Sequence, residues 1–273
     1  MFLSLRRILR ASVYSVEIRY MFSSISKTAM TLGTVAGCLM ATAGQASAFT
    51  FETNWTGTPP KGDIYLDSVE IGNAIVSDFA LVNGVNITNN TAHTGGNSGA
   101  ASSDLGDDAT VGVKLEDATN SSVEESLGNR YLSSIIDTED GNVGFSMDLT
   151  FDKSFNKLLF WERGINSTLG VTINGVTKTL TKTDFAQGET DFTLDTTEIG
   201  GAQKVGSYGL DLSEFGISGQ YNGPVTIFSQ GGFKGPDFKV AGATVPEPAT
   251  VLGLTAVAGA LVASRRRKSG KSA

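Results

Sequence analysis

The chain has 273 residues, with 21 Lys and Arg against 28 Asp and Glu, a net charge of −7, and one cysteine and one histidine. This length suffices for one domain held by burial alone, while a lone Cys excludes an internal disulfide framework and a thiolate metal cage. Residues 1–20 carry Arg6, Arg7, Arg10 and Arg19 without a sustained apolar run, and are read as an upstream over-call ahead of a start at Met21. Residues 21–48 then have the layout of a signal peptide: Lys27 as the positive region, an apolar run from Ala29 to Ala43, and Ala46-Ser47-Ala48 as the cleavage site. Cleavage there makes Phe49 the first residue of the exported protein and removes Cys38. Val35-Ala36-Gly37-Cys38 is a competing lipobox, but the run to Ala48 has the normal length and ends at a better site.

Charge is unevenly distributed. Residues 49–245 hold 11 Lys and Arg against 26 Asp and Glu, a net −15, because the basic residues concentrate at the two ends of the chain. A domain this acidic does not bind nucleic acid by counterion release and is repelled by anionic lipid. It suits a salty exterior or the binding of cations.

The body, 49–245, reads as all-β. Val143 to Phe151 is the cleanest strand, with Val143, Phe145, Met147, Leu149 and Phe151 alternating with small or polar residues. Lys157–Arg163 is apolar on both faces in its middle, as expected of a central strand. Asn174-Gly175 between two β-rich runs predicts a hairpin, and Gly72-Asn73 and Asn83-Gly84 punctuate the earlier part in the same way. Further strands are expected at Phe49–Thr53, Ser68–Ile71, Phe79–Val82, Asp191–Asp195, Val205–Leu210, Val225–Ser229 and Asp237–Ala241. The expected architecture is a two-sheet, jelly-roll-like β-sandwich with a signal helix before it and a transmembrane helix after it. One short surface helix is predicted at Ser121–Gly128, from the Ser121 to Glu124 capping spacing and the Gly stop, with a continuation over Arg130–Ile136. Asn89–Asp108 is polar throughout and reads as a long loop.

Candidate site residues are few. The only histidine, His93, lies in the polar loop, and no strand-turn-helix elbow presents a serine, so a nucleophilic triad is not supported. Glu162, between Trp161 and Arg163, is the first acid to test for glycoside chemistry or for a sugar ligand. Its plainer reading is a strand-end pair with Arg163 beside a core Trp161. No cofactor is required. Calcium is the better candidate, because Asp137, Glu139 and Asp140, and after them Asp104, Asp107 and Asp108, cluster hard oxygen donors near glycines.

The tail, 246–268, has three ordered parts. Pro246-Glu247-Pro248 opens it, Ala249–Ser264 is uncharged, and Arg265, Arg266, Arg267 and Lys268 close it, leaving 269–273 as a short cytoplasmic end. As a helix the middle part spans roughly 24 Å, somewhat short of a bilayer core of about 30 Å, with the prolines and Arg265 making up part of the difference, and the basic cluster stops transfer on the cytoplasmic side. The two prolines keep the first part extended and accessible. This tail resembles the PEP-CTERM sorting signal of exosortase substrates, in which a membrane-embedded cysteine transpeptidase recognises and removes the tail. In the body, Phe51–Gly57, Gly62–Ser68, Thr94–Ala100, Ile135–Asp140, Phe160–Ser167 and Asp195–Gly201 look like segments of exosortase-dependent surface proteins of cyanobacteria. The resemblance implies location and processing, with exosortase as partner, the membrane as a temporary anchor and no catalytic activity. Two roles follow as expectations: a structural component of the cell surface or extracellular matrix, or a carbohydrate-binding module of the exopolysaccharide layer.

Overall fold

The computed structural model describes residues 48–91, 100–139, 144–198 and 200–246. In chain order these form β1 (Glu52–Gly57), β2 (Ile64–Ile71), β3 (Ala74–Val76), β4 (Phe79–Ala80), β5 (Val82–Asn90), β6 (Ala101–Leu105), β7 (Glu116–Asp117) and α1 (Asn120–Leu127). There follow β8 (Ser134–Thr138), β9 (Phe145–Phe151), β10 (Lys157–Arg163), β11 (Leu169–Ile173), β12 (Val176–Leu180) and α2 (Lys182–Phe185). The last four strands are β13 (Glu189–Leu194), β14 (Gln203–Asp211), β15 (Val225–Ser229) and β16 (Asp237–Ala243). The chain is all-β.

The strands make three sheets rather than the two expected. An eight-stranded sheet runs β13-β14-β10-β16-β8-β6-β7 with β4 against β16, a five-stranded sheet runs β12-β11-β15-β9-β5, and β1-β2-β3 form a small third sheet. All the pairings are antiparallel. Strand β10 explains the layering. Leu158 and Phe160 join one core with Met147 and Leu149 of β9, Val171 of β11 and Ile227 of β15. Leu159 and Trp161, on the opposite face, join a second core with Phe51, Ile64 and Leu66. The run Leu-Leu-Phe-Trp therefore has no solvent face, because the eight-stranded sheet is covered on both sides.

In β9, Phe145, Met147, Leu149 and Phe151 are buried and Ser146, Asp148 and Thr150 are not, so the period of two holds. The strand starts at Phe145, and Val143 lies outside the described residues. At the β11–β12 hairpin, Asn174 and Gly175 both take positive φ, 50° and 77°, the geometry that favours Asn-Gly in a two-residue turn. Gly72-Asn73 likewise turns between Ile71 and its partner Ala74. Asn83-Gly84 does not turn. It sits inside β5 where the register against β9 shifts between Val82 and Gly84, a bulge instead of a hairpin.

Two further expectations are corrected. The polar stretch Asn89–Asp108 is not all loop, since β5 runs to Asn90 and Ala101–Leu105 is the fully buried strand β6. Arg130–Ile136 does not extend the helix; Ser134–Thr138 is β8, paired with β6 and β16. Helix α1 itself is one residue earlier than expected and less superficial. Thr119 caps it, accepting from the Ser122 N–H at 3.1 Å while the Ser122 hydroxyl accepts from the Thr119 N–H at 3.0 Å. Val123 and Leu127, one turn apart, are buried in the first core. Gly128 ends the helix where a Cβ would stand 2.5 Å from the Glu124 carbonyl and 2.6 Å from that of Val82, so no larger residue fits. Buried Lys239 closes the same end, its ammonium donating to the Ser126 carbonyl and to Asn129 Oδ1.

No helix among the described residues is long and apolar enough to cross a membrane. The expected signal helix, Ala46, and the tail from Glu247 through Pro248 and Ala249–Ser264 to Arg265, Arg266, Arg267 and Lys268 lie outside the described residues.

Candidate functional site

The convergence of acids lies at one end of the eight-stranded sheet. On β6 and β8, Asp104 pairs with Ile135 and Ser102 with Asp137. Directly opposed residues share a face, so Asp104 and Asp137 point to the same side as diagonal neighbours. The segment after β13 brings the third acid. It is stitched down by Asp195 N–H to the Pro60 carbonyl at 2.8 Å, Thr197 N–H to the Leu105 carbonyl at 3.1 Å, and Gly201 N–H to Asp195 Oδ1 at 2.8 Å. Glu198 is thereby held over β6, its N–H donating to Asp104 Oδ2 at 3.3 Å. One carboxylate oxygen from each of Asp104, Asp137 and Glu198 lies within 4.8 Å of the other two.

Two of the three acids are buried and Glu198 is half-buried. Asp104 is 0 % exposed and Asp137 1 %. Burial pushes Asp137 well above the ordinary carboxylate range, and the nearby acids Asp237, Glu198 and Asp104 push the same way. Burial also raises Asp104, restrained by the Leu105 N–H, the Thr196 hydroxyl and the Glu198 N–H.

Next to it, Arg163 on β10 faces Asp237 on β16, paired in register and 3.1 Å apart between Nη1 and Oδ2. Arg163 also donates from Nε to the Leu194 carbonyl at 3.3 Å. Burial raises Asp237 even so, with Arg163 and the Thr138 N–H holding it back.

Of the residues singled out in the sequence, Asp137 and Asp104 are brought together although they came from different candidate groups. Asp107 turns away to pair with Lys61 at 2.6 Å, and Asp108 is exposed. Glu139 is half-buried beyond the end of β8 and is not in the cluster; Asp140 and His93 lie outside the described residues. Glu198 was missed as an acid, although Asp195–Gly201 and Ile135–Asp140 had both stood out as segments.

Trp161 and Glu162 form no ligand platform. Trp161 is 2 % exposed, stacks edge-on with Phe51 at 5.3 Å and donates its indole N–H to Thr53 Oγ1 at 2.9 Å. Glu162 is 0 % exposed. It does not pair with Arg163 as expected, because successive residues of a strand face opposite ways; it accepts instead from the Ser167 hydroxyl. Burial pushes its pKa up to about 8 against the pull of Ser167, and Asp237 adds to the rise. An acid sealed inside the sheet cannot reach a glycosidic bond in this conformation.

The other aromatics considered for sugar stacking are half-buried and engaged by different neighbours. Trp55 packs on Phe192 and donates to Asp191 Oδ1 at 2.6 Å, while Tyr65 meets Tyr131 and the Arg130 guanidinium. A cleft of about 590 Å³ runs between β1 and the start of β13, lined by Glu52, Asn54, Glu70, Gln187, Glu189 and Asp191 among others. No family model, no curated protein and no solved structure matches the chain.

Proposed function

We propose that the chain is an exported cell-surface protein whose C-terminal tail is cut by an exosortase-type transpeptidase, and that its β-domain has a structural, non-catalytic role in the surface layer or extracellular matrix. The observation that carries this reading is the placement of the fold's two limits. Among the described residues Phe49 makes the first strand contact, an isolated bridge in which it exchanges hydrogen bonds with Gly209 at 2.9 and 2.8 Å. At the other end Val245 is clamped by the Asn156 amide at 2.7 and 2.9 Å, and Pro246 follows, partly exposed. Among the described residues, the strand contacts thus begin just after Ala46-Ser47-Ala48, and the last clamped residue stands just before Pro246-Glu247-Pro248.

Within this reading the domain is a jelly-roll-like sandwich of the eight- and five-stranded sheets, thickened by the third. Before processing it is held in the membrane by Ala249–Ser264, with Arg265–Lys268 inside; afterwards it is at the surface or released. A charge of −15 in a domain without cysteines suits that exterior.

Binding of extracellular polysaccharide is the second reading. The polar cleft beside β1 favours it, with Trp55 bound to Asp191 at its rim. Glycan-array binding by the processed protein, lost in Glu189→Ala, would select this role over the structural one.

The export reading is tested by intact mass of the protein from an exosortase-positive host. The expected mass lacks Ala249–Ala273. Replacing Pro246-Glu247-Pro248 by three alanines is expected to leave insertion unchanged and to trap the precursor in the membrane at full mass. A wild-type protein that keeps its tail overturns the reading.

A further inference from the structure

One oxygen at the carboxylate cluster is left unanswered by the protein. Asp137 Oδ2 has no hydrogen-bond partner, although the residue is only 1 % exposed. A buried polar atom without a partner costs on the order of 1–3 kcal/mol, more when charged, so such atoms ask for a ligand. Three carboxylates within 4.8 Å of one another also repel unless a proton or a cation lies among them.

We propose that Asp104, Asp137 and Glu198 bind one calcium ion that ties the 195–201 segment to strands β6 and β8. The donors are all hard oxygens, which selects calcium or magnesium over zinc and copper. Among the two, calcium fits better. Its oxygens lie at about 2.3–2.6 Å in an irregular shell, so ligand oxygens spread over 4.8 Å share it easily, whereas magnesium demands a tight octahedron. The backbone ties already bring Glu198 over Asp104, so the segment is positioned before the ion arrives. Arg163, pointing at Asp237, neutralises the neighbouring acid and leaves these three as the donor set.

The site does not rest on the export reading. It requires only the fold, and the two fail independently: the tail is scored by mass, the site by calcium.

The test uses the full chain, purified in detergent, stripped with EDTA and titrated with calcium chloride alone. One calcium per chain is expected by calorimetry, with a dissociation constant of about 0.1–1 mM, as in extracellular modules. A rise in Tm on adding about 10 mM calcium is expected, and a smaller one with magnesium. Asp137→Asn is expected to abolish both the binding and the calcium-dependent rise. In EDTA it should melt at or above the wild-type temperature, since a crowded carboxylate has gone. Glu198→Gln, half-buried and away from the strands, serves if the first variant does not fold, and is expected to weaken calcium binding at least tenfold. Absence of any calcium effect on the wild type overturns the proposal. So does a full effect retained in Asp137→Asn or Glu198→Gln, which would assign the ion to acids elsewhere on the surface.

Discussion

Arg163 Nη1 and Asp237 Oδ2 meet at 3.1 Å on neighbouring strands, and both side chains are buried. Neither was a candidate site residue in the sequence, yet the pair lies beside the crowded acids and acts on Asp137 through the Asp237 charge. It fixes one carboxylate of the crowded sheet end against a guanidinium. Asp104, Asp137 and Glu198 then face each other.

Removing that carboxylate is expected to be severe. Asp237→Ala takes the counter-charge from a buried guanidinium, a change that costs about 3–5 kcal/mol. Asp237→Asn keeps the shape and the acceptor for the Thr138 N–H at 3.2 Å, and should lose less. Urea unfolding of the two variants checks the order. An alanine variant as stable as the asparagine one would show that the shape and the Thr138 acceptor contribute nothing beyond the charge, which both variants lack.

Glu162 gives a pH signature. Its folded pKa is raised from 4.5 to about 8, so the folded state holds this proton after the unfolded chain has released it. The associated stability is full below about pH 4.5 and is lost as pH rises through about 8, a change on the order of 4–5 kcal/mol. The Ser167 hydroxyl and the Ile165 N–H bond to it, while Asp237 and Arg163 act on it through their charge from the other face of the sheet. Glu162→Gln is expected to match the wild type near pH 5 and to melt at a higher temperature near pH 9. If the two proteins lose Tm in parallel over that range, Glu162 is not the group responsible.

The faces of β9 make the third prediction. Phe145→Asp or Leu149→Asp should unfold the domain, because each places an unpaired charge in the core shared by the two larger sheets, at a cost of several kcal/mol. Ser146→Asp, on the half-exposed face, should be tolerated. Circular dichroism of the three variants distinguishes them, and the opposite pattern would mean the face assignment is inverted.

What the sequence determined by itself was whatever rests on local period. The alternation from Phe145 to Phe151, the doubly apolar run Leu158–Trp161 and the Asn174-Gly175 turn each encode their structure within a few residues, since strand pleat and turn φ are local properties. The two proposed processing signals, Ala46-Ser47-Ala48 and Pro246-Glu247-Pro248, are likewise contiguous words, read from the sequence alone. Tertiary structure alone decided the rest. Ala101-Ser-Ser-Asp-Leu105 carries no strand signal, and becomes a buried strand because β7 and β8 supply its partners. Asp104 and Glu198 stand 94 residues apart and meet only because the 195–201 segment is tied across the end of β6. Asp137 faces them, and Glu139 does not, because the β6–β8 register and the end of the strand set which carboxylates converge. Register between strands distant in the chain is a property of the packed sheets, and no short stretch of sequence contains it.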